Sequence, residues 1–144
     1  MTYRAVIFDL FGTLIDNFRH DTFAEVLWLM AGVLEVPADE FAAAVRPLVA
    51  GSLTGDYDIA GEAFLACKAI GQPRTRAQAT LASDAWQAHM MPLLQPRPGA
   101  MATLAKVVER KLRVGLISDC ADEIPRMWGD LPYRRFIDAP VFSC

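Results

Sequence analysis

Four apolar residues, Ala5-Val6-Ile7-Phe8, run straight into a lone carboxylate, Asp9, and a glycine, Gly12, and a small hydroxyl, Thr13, follow within one turn's length. A short apolar run bounded by a turn signal predicts a strand buried on both faces, the kind found in parallel sheets. Open parallel sheets bind their ligands just outside the carboxyl ends of the strands. Asp9 at such an end is therefore a nucleophile or ligand, or else a cap for the next turn. The rest of the chain decides between them.

A second run of the same kind, Val114-Gly115-Leu116-Ile117, also ends in a polar cluster, Ser118-Asp119-Cys120, and Ala139-Pro140-Val141-Phe142-Ser143 reads as a third strand. Between the first two the periodicity is helical. Residues 21–35 read as a helix, made apolar on more than one side by Trp28 and Leu29, which predicts burial between layers. Asp39 is placed to cap a second helix over 40–50, and 51–56 reads as a loop. A third helix stops at Gly71, and a fourth, capped by Thr75, aligns Ala79, Ala82, Trp86, His89 and Met90 on one face. That alignment makes His89 a core histidine; Trp28 and Trp86 read as core of the helical bundle. The proline-rich stretch from Pro92 to Gly99 is a stiff connector, followed by an amphipathic helix through Val108 and a short one over 122–128. The expectation is an α/β, Rossmann-like parallel sheet, with residues 1–16 and 97–144 as its core and 17–96 as a four-helix-bundle cap inserted after the first strand.

With 144 residues, 53% hydrophobic and 22% charged, the chain is long and apolar enough for one folded domain. A net charge of −3, with no long basic run, argues against a nucleic-acid partner. No apolar run is long enough for a membrane span, and the opening residues lack a signal-peptide layout. The scattered Cys67, Cys120 and Cys144 read as reduced thiols, so the expected location is cytoplasmic.

Two strands ending in Asp9/Thr13 and Ser118/Asp119 would face each other across one cleft. At these residues the chain resembles the haloacid dehalogenase-like (HAD) hydrolase superfamily. Phe8-Asp9-Leu10-Phe11-Gly12-Thr13-Leu14 is similar to its first motif and Gly115-Leu116-Ile117-Ser118-Asp119-Cys120 to its second, with the helical insertion where that family carries its cap. The resemblance implies that Asp9 is the nucleophile, forming an ester or acyl-phosphate that water then hydrolyses. It implies that Thr13 and Ser118 donate to Asp9 or to an anionic substrate group, aided by backbone N–H groups of the short helix that follows. Leu10, Phe11, Gly12 and Asp119 would line the substrate site of a small anionic molecule, either a 2-haloacid or a phosphoester. Magnesium is implied for the phosphatase-like case, with Asp9 as one ligand, and no cofactor for the dehalogenase-like case.

Two departures from the family pattern bear on the reaction. Superfamily phosphatases carry a second aspartate two residues after the nucleophile, where it protonates the leaving oxygen; here that position is Phe11, closer to the dehalogenase branch. Asp119 stands where dehalogenases more often have asparagine, and Arg19, Arg46 and Arg74 are the candidates for a substrate-carboxylate partner in the cap. The family's lysine and acidic-loop motifs follow a strand like the third one, and neither lies before Cys144; Lys106 and Lys111 fall in the wrong place to substitute. The expectation is a truncated form, either of an enzyme or of a module that self-associates through an uncovered sheet edge.

Overall fold

The fold is that of a computed structural model, which describes residues 3–18 and 20–144. Its centre is a three-stranded parallel sheet: β1 (Ala5–Asp9), β2 (Arg113–Ser118) and β3 (Ala139–Phe142), in the order β1-β2-β3. The register pairs Ala5 with Arg113 through to Asp9 with Ile117, then Gly115 with Ala139 through to Ser118 with Phe142. Parallel neighbours cannot be joined by a tight turn, so each connection crosses over through helix. The first crossover carries α1 (His20–Leu34), α2 (Ala38–Val45), α3 (Val49–Leu53), α4 (Ile59–Ala69), α5 (Arg76–Met90) and α6 (Ala100–Glu109). The second is short: α7 (Glu123–Met127) and two 3₁₀ turns.

Local chemistry explains most of these limits. Thr75 and Gln78 form a reciprocal capping box that starts α5, with Gln78 N–H donating to Thr75 Oγ1 and Thr75 N–H to Gln78 Oε1. Asp58 starts α4 by accepting from Gly61 N–H at 2.6 Å. Gly71, at φ +70°, ends α4 in the left-handed conformation that glycine adopts without penalty. Pro47 has no N–H to give, and the expected 40–50 helix accordingly breaks. A 3₁₀ turn over Arg46–Leu48 separates α2 from α3, and α3 takes up half of the expected loop. Asp39 does not cap α2; Pro37 holds that position, without a side-chain bond.

Val26, Leu27, Met30, Ala31 and Leu34 form the buried stripe of α1, and it packs on α5, whose Ala79 and Ala82 bring the two backbones close. Trp86 and Met90 complete that interface, as expected. Three expectations from periodicity are overturned. Trp28 is 58% exposed and Leu29 is exposed beside it, so α1 has one buried face and one wet face. His89 is exposed near the end of α5 rather than in the core, because the buried stripe rotates past it between Trp86 and Met90. The sheet is covered on one face only. Val114, Leu116 and Ser118 are buried, whereas the alternate residues Ile7, Ile117 and Val141 are 65%, 54% and 56% exposed. Successive strand residues point to opposite faces, so this is a property of a whole surface.

Candidate active site

β1 ends in a tight turn. The Leu10 carbonyl accepts from the N–H groups of Thr13, Leu14 and Ile15, which curls the chain back over the strand end. Gly12 sits within that turn at φ +73°, a conformation that costs a residue with a Cβ roughly 1–2 kcal/mol. The curl brings Thr13 over Asp9, and Thr13 Oγ1 donates to Asp9 Oδ2 at 3.2 Å. Asp9 and Thr13 are both exposed. Leu10 itself is fully buried, so of the residues expected at the substrate surface it contributes only backbone. Phe11 is half-buried and meets Phe18 edge-on, with ring centroids 5.1 Å apart.

Arg97 was not singled out by sequence, and it fastens this turn from the far end of the helical crossover. Its backbone N–H donates to Leu14 O at 2.8 Å, its guanidinium donates to Gly12 O, and Nε lies 3.1 Å from Asp16 Oδ1. A cleft of about 420 Å³ beside Thr13 has Arg97 in its wall. The three arginines weighed as substrate partners fare differently. Arg74 spends its guanidinium on Leu34 O and Glu35 O, closing the carboxyl end of α1; Arg46 is exposed on the 3₁₀ turn; Arg19 lies outside the described residues.

Ser118 lies one residue beyond the partner of Asp9 in the register, on the covered face of the sheet. It is 1% exposed and its Oγ has no hydrogen-bond partner. Asp119 is exposed and is held by Ser143, whose hydroxyl donates to Asp119 Oδ1 at 2.9 Å and accepts from Cys120 N–H at 3.0 Å. Cys120 is buried, and burial pushes its thiol up to about 12, which removes it as a nucleophile. The short helix expected to offer N–H groups to an anion is α7, five residues long, and the buried Glu123 already occupies its first turn.

A cavity of about 500 Å³ joins this strand edge to the helices. Phe11, Phe18 and Trp86 form part of its wall, and Asp119, Glu62 and Glu123 supply charge. Glu62 and Glu123 are buried, at 4% and 8% exposure, and neither was singled out by sequence. Burial raises Glu62, with the Ser52 hydroxyl donating to it at 2.5 Å as partial relief and Asp122 pushing it further up. Burial likewise raises Glu123, to about 7, opposed by its own and Ala121's backbone N–H groups and reinforced by Asp122 and Glu62. Glu123 Oε2 has no partner. Magnesium prefers about six oxygens in octahedral array. No three Asp, Glu, His or Cys side chains among the described residues converge as a metal site. The side chains present do not by themselves make up that shell, and no step is derived through the ion.

Comparison with solved structures decides the fold. Over 99% of this chain and 70% of the other, it superposes with a TM-score of 0.66 on a HAD family enzyme from Bacteroides thetaiotaomicron, at 18% identity. The same enzyme in complex with magnesium and inorganic phosphate matches at 0.60, 18% identity, over 99% of this chain and 69% of that one. L-2-haloacid dehalogenase from Xanthobacter autotrophicus matches at 0.52, 18% identity, over 98% of this chain and 57% of that one. This is the HAD-like fold. No protein-family model matches the chain, and no curated protein matches it by sequence. The HAD-like fold thus holds both a magnesium-binding and a haloacid-cleaving relative in shape, and the chain spans 57–70% of their lengths. No helix among the described residues is long and apolar enough to cross a membrane.

Proposed function

We propose that this chain is the nucleophile-bearing part of a HAD-like hydrolase acting on a small anionic substrate, either a 2-haloacid or a phosphoester. The observation that carries the reading is Asp9: an exposed carboxylate at the carboxyl end of β1, held by Thr13 Oγ1, on a HAD-like fold. A carboxylate is ionised at neutral pH and needs no base to activate it. An Asp9 oxygen attacks the carbon bearing the halogen, or the phosphorus, and the leaving group departs with its bonding electrons. Water then cleaves the resulting ester or acyl-phosphate and restores Asp9. Thr13 keeps the carboxylate aimed, Arg97 holds the turn that carries Thr13 through Gly12 O and Asp16, and Ser118 Oγ, enclosed and unpartnered, is a donor in reserve. Phe11 has no proton to give, so general-acid help of roughly 10²–10⁴-fold is missing at that position. Halide leaves without a proton, and Phe11 therefore favours carbon–halogen over phosphoester cleavage. The helices between β1 and β2 act as the cap that covers the cleft.

The experiment is a turnover panel of 2-haloacids and phosphomonoesters, read as halide or phosphate release, repeated with Asp9→Asn. Release that depends on Asp9 is expected; release that persists in Asp9→Asn removes it as nucleophile.

A second reading, self-association of the chain, is favoured by the open sheet face, where Ile7, Ile117 and Val141 stand more than half exposed.

A further inference from the structure

Two of the three cysteines are brought together by the sheet. The register pairs Ser118 of β2 with Phe142 of β3, and the pairing runs on past both ends, since Ser143 N–H donates to Ser118 O at 3.1 Å. Two residues further along each strand stand Cys120 and Cys144. Ser143 fastens the approach: its hydroxyl accepts from Cys120 N–H at 3.0 Å while donating to Asp119 Oδ1 at 2.9 Å. Neighbouring strands run about 4.8 Å apart, inside the roughly 4.4–6.8 Å between Cα atoms that a disulfide spans. The thiols meet as well, each being a side-chain hydrogen-bonding neighbour of the other. Both are free, with Cys120 buried and Cys144 exposed. One sulfur is thus open to a dissolved reagent, and the other is reached only through the first. Cys67, fully buried in α4, shares neither feature.

We infer that Cys120 and Cys144 are the two halves of a redox switch, a disulfide made by peroxide and undone by thiols, which locks the end of β2 to the end of β3. The Cys144 thiolate attacks one oxygen of hydrogen peroxide and becomes a sulfenic acid, and the other oxygen leaves as hydroxide and is protonated to water. The Cys120 sulfur then attacks that sulfur. The S–S bond forms as the S–O bond breaks, and the Cys120 proton departs with the hydroxyl as a second water. Two thiols have lost one electron each and the peroxide has gained both. A small thiol such as glutathione reverses the bond by exchange. Burial raises both thiols, Cys120 to about 12, so neither carries much charge at neutral pH. The first step is therefore slow, and the switch answers to sustained peroxide rather than to traces. In the second step a partner already held alongside takes the place of a high concentration. Asp119, Cys120 and Ala121 belong to the wall of the 500 Å³ cavity, and Gly55, ahead of α4, lies against Cys144, where a Cβ would sit 3.0 Å from its carbonyl carbon. The cross-link forms where β2, β3 and the inserted helices meet, and it fixes the strand end that Ser143 now holds by hydrogen bonds. None of this depends on the reaction proposed at Asp9.

The test exposes the full chain to excess hydrogen peroxide, removes the peroxide, alkylates the free thiols under denaturing conditions and maps the product by mass spectrometry. A monomer lighter by two hydrogens before alkylation is expected, with one peptide joining Cys120 to Cys144, Cys67 alkylated, and full reversal by dithiothreitol. The oxidised chain should melt several degrees higher than the reduced one, because closing a loop restricts the unfolded chain. Cys144→Ser, at an exposed position, should leave Cys120 open to alkylation after the same treatment and abolish the rise in Tm. Cys120→Ala should instead leave Cys144 as a sulfenic acid that dimedone traps. A product joined between two chains through Cys144, or Cys144 carried on to sulfinic acid while Cys120 stays free, overturns the inference. So does oxidation of Cys120 in Cys144→Ser at the wild-type rate, or a cross-linked chain that melts no higher than the reduced one.

Discussion

Glu123 makes stability depend on pH in a definite direction. Its carboxyl is raised by burial from the usual 4.5 to about 7, so the folded state holds a proton that the unfolded chain has released. The stabilisation is complete below pH 4.5 and is lost as pH rises to about 7, a span worth about 3 kcal/mol. Urea denaturation across that window should show wild-type stability falling with pH, and Glu123→Gln should flatten most of the slope and be the more stable protein on the alkaline side. A slope unchanged by Glu123→Gln would assign the effect elsewhere, Glu62 being the next group shifted the same way. At this scale sequence reading singled out Asp9, Thr13, Ser118 and Asp119 as candidates, because a carboxylate or hydroxyl closing an apolar run interrupts a visible pattern. It passed over Glu62 and Glu123, since a glutamate on a short polar or alanine-rich helix reads as solvated until another element is laid over it. Arg97 and Ser143 were missed for a related reason: each acts on a turn more than twenty residues away.

Among the elements, α5 shows how much a single start signal is worth. Its capping box satisfies two otherwise unpaired N–H groups, and α5 supplies the buried surface against both α1 and α4. Thr75→Ala should destabilise the protein by about 1 kcal/mol, with a drop of a few degrees in Tm by calorimetry and no change in the site. An unchanged Tm would mean that tertiary packing alone holds the helix start. Thr75 and Gly71 were legible because caps and stops are local chemistry. The break at Pro47 was equally local, yet the apolar spacing on either side of it suggested one helix, and periodicity outweighed the missing N–H. The exposure of Trp28 was not legible at all. A hydrophobic residue shows that a helix has an apolar face there, but which faces find partners depends on how many neighbours the fold provides.

For the molecule as a whole, the parallel sheet with helices inserted after its first strand was readable from the alternation of strand and helix patterns. Its one open face was not, since strands buried on one or both sides give similarly short apolar runs. That face offers a direct test of self-association. Ile117 lies at its centre on β2, and Ile117→Lys should shift a concentration-dependent dimer towards monomer in light scattering while leaving the covered face intact. A wild-type chain that stays monomeric at every concentration tried would dismiss the association. The clasp around Arg97 has a wider meaning. Ile15 bridges to Pro96 and Arg97 N–H bonds to Leu14 O, so the chain leaves the sheet and returns to it at one spot. The eighty-odd residues in between leave and re-enter through a narrow double-stranded neck, and they are tied to the chain after β2 where Ile59 N–H donates to Asp122 and Arg126 reaches Asp84. An insertion or deletion among them that spares those ties leaves the neck and the parallel pairing of β1 with β2 in place. The inserted helices can therefore change in length and sequence without displacing the strand that carries Asp9.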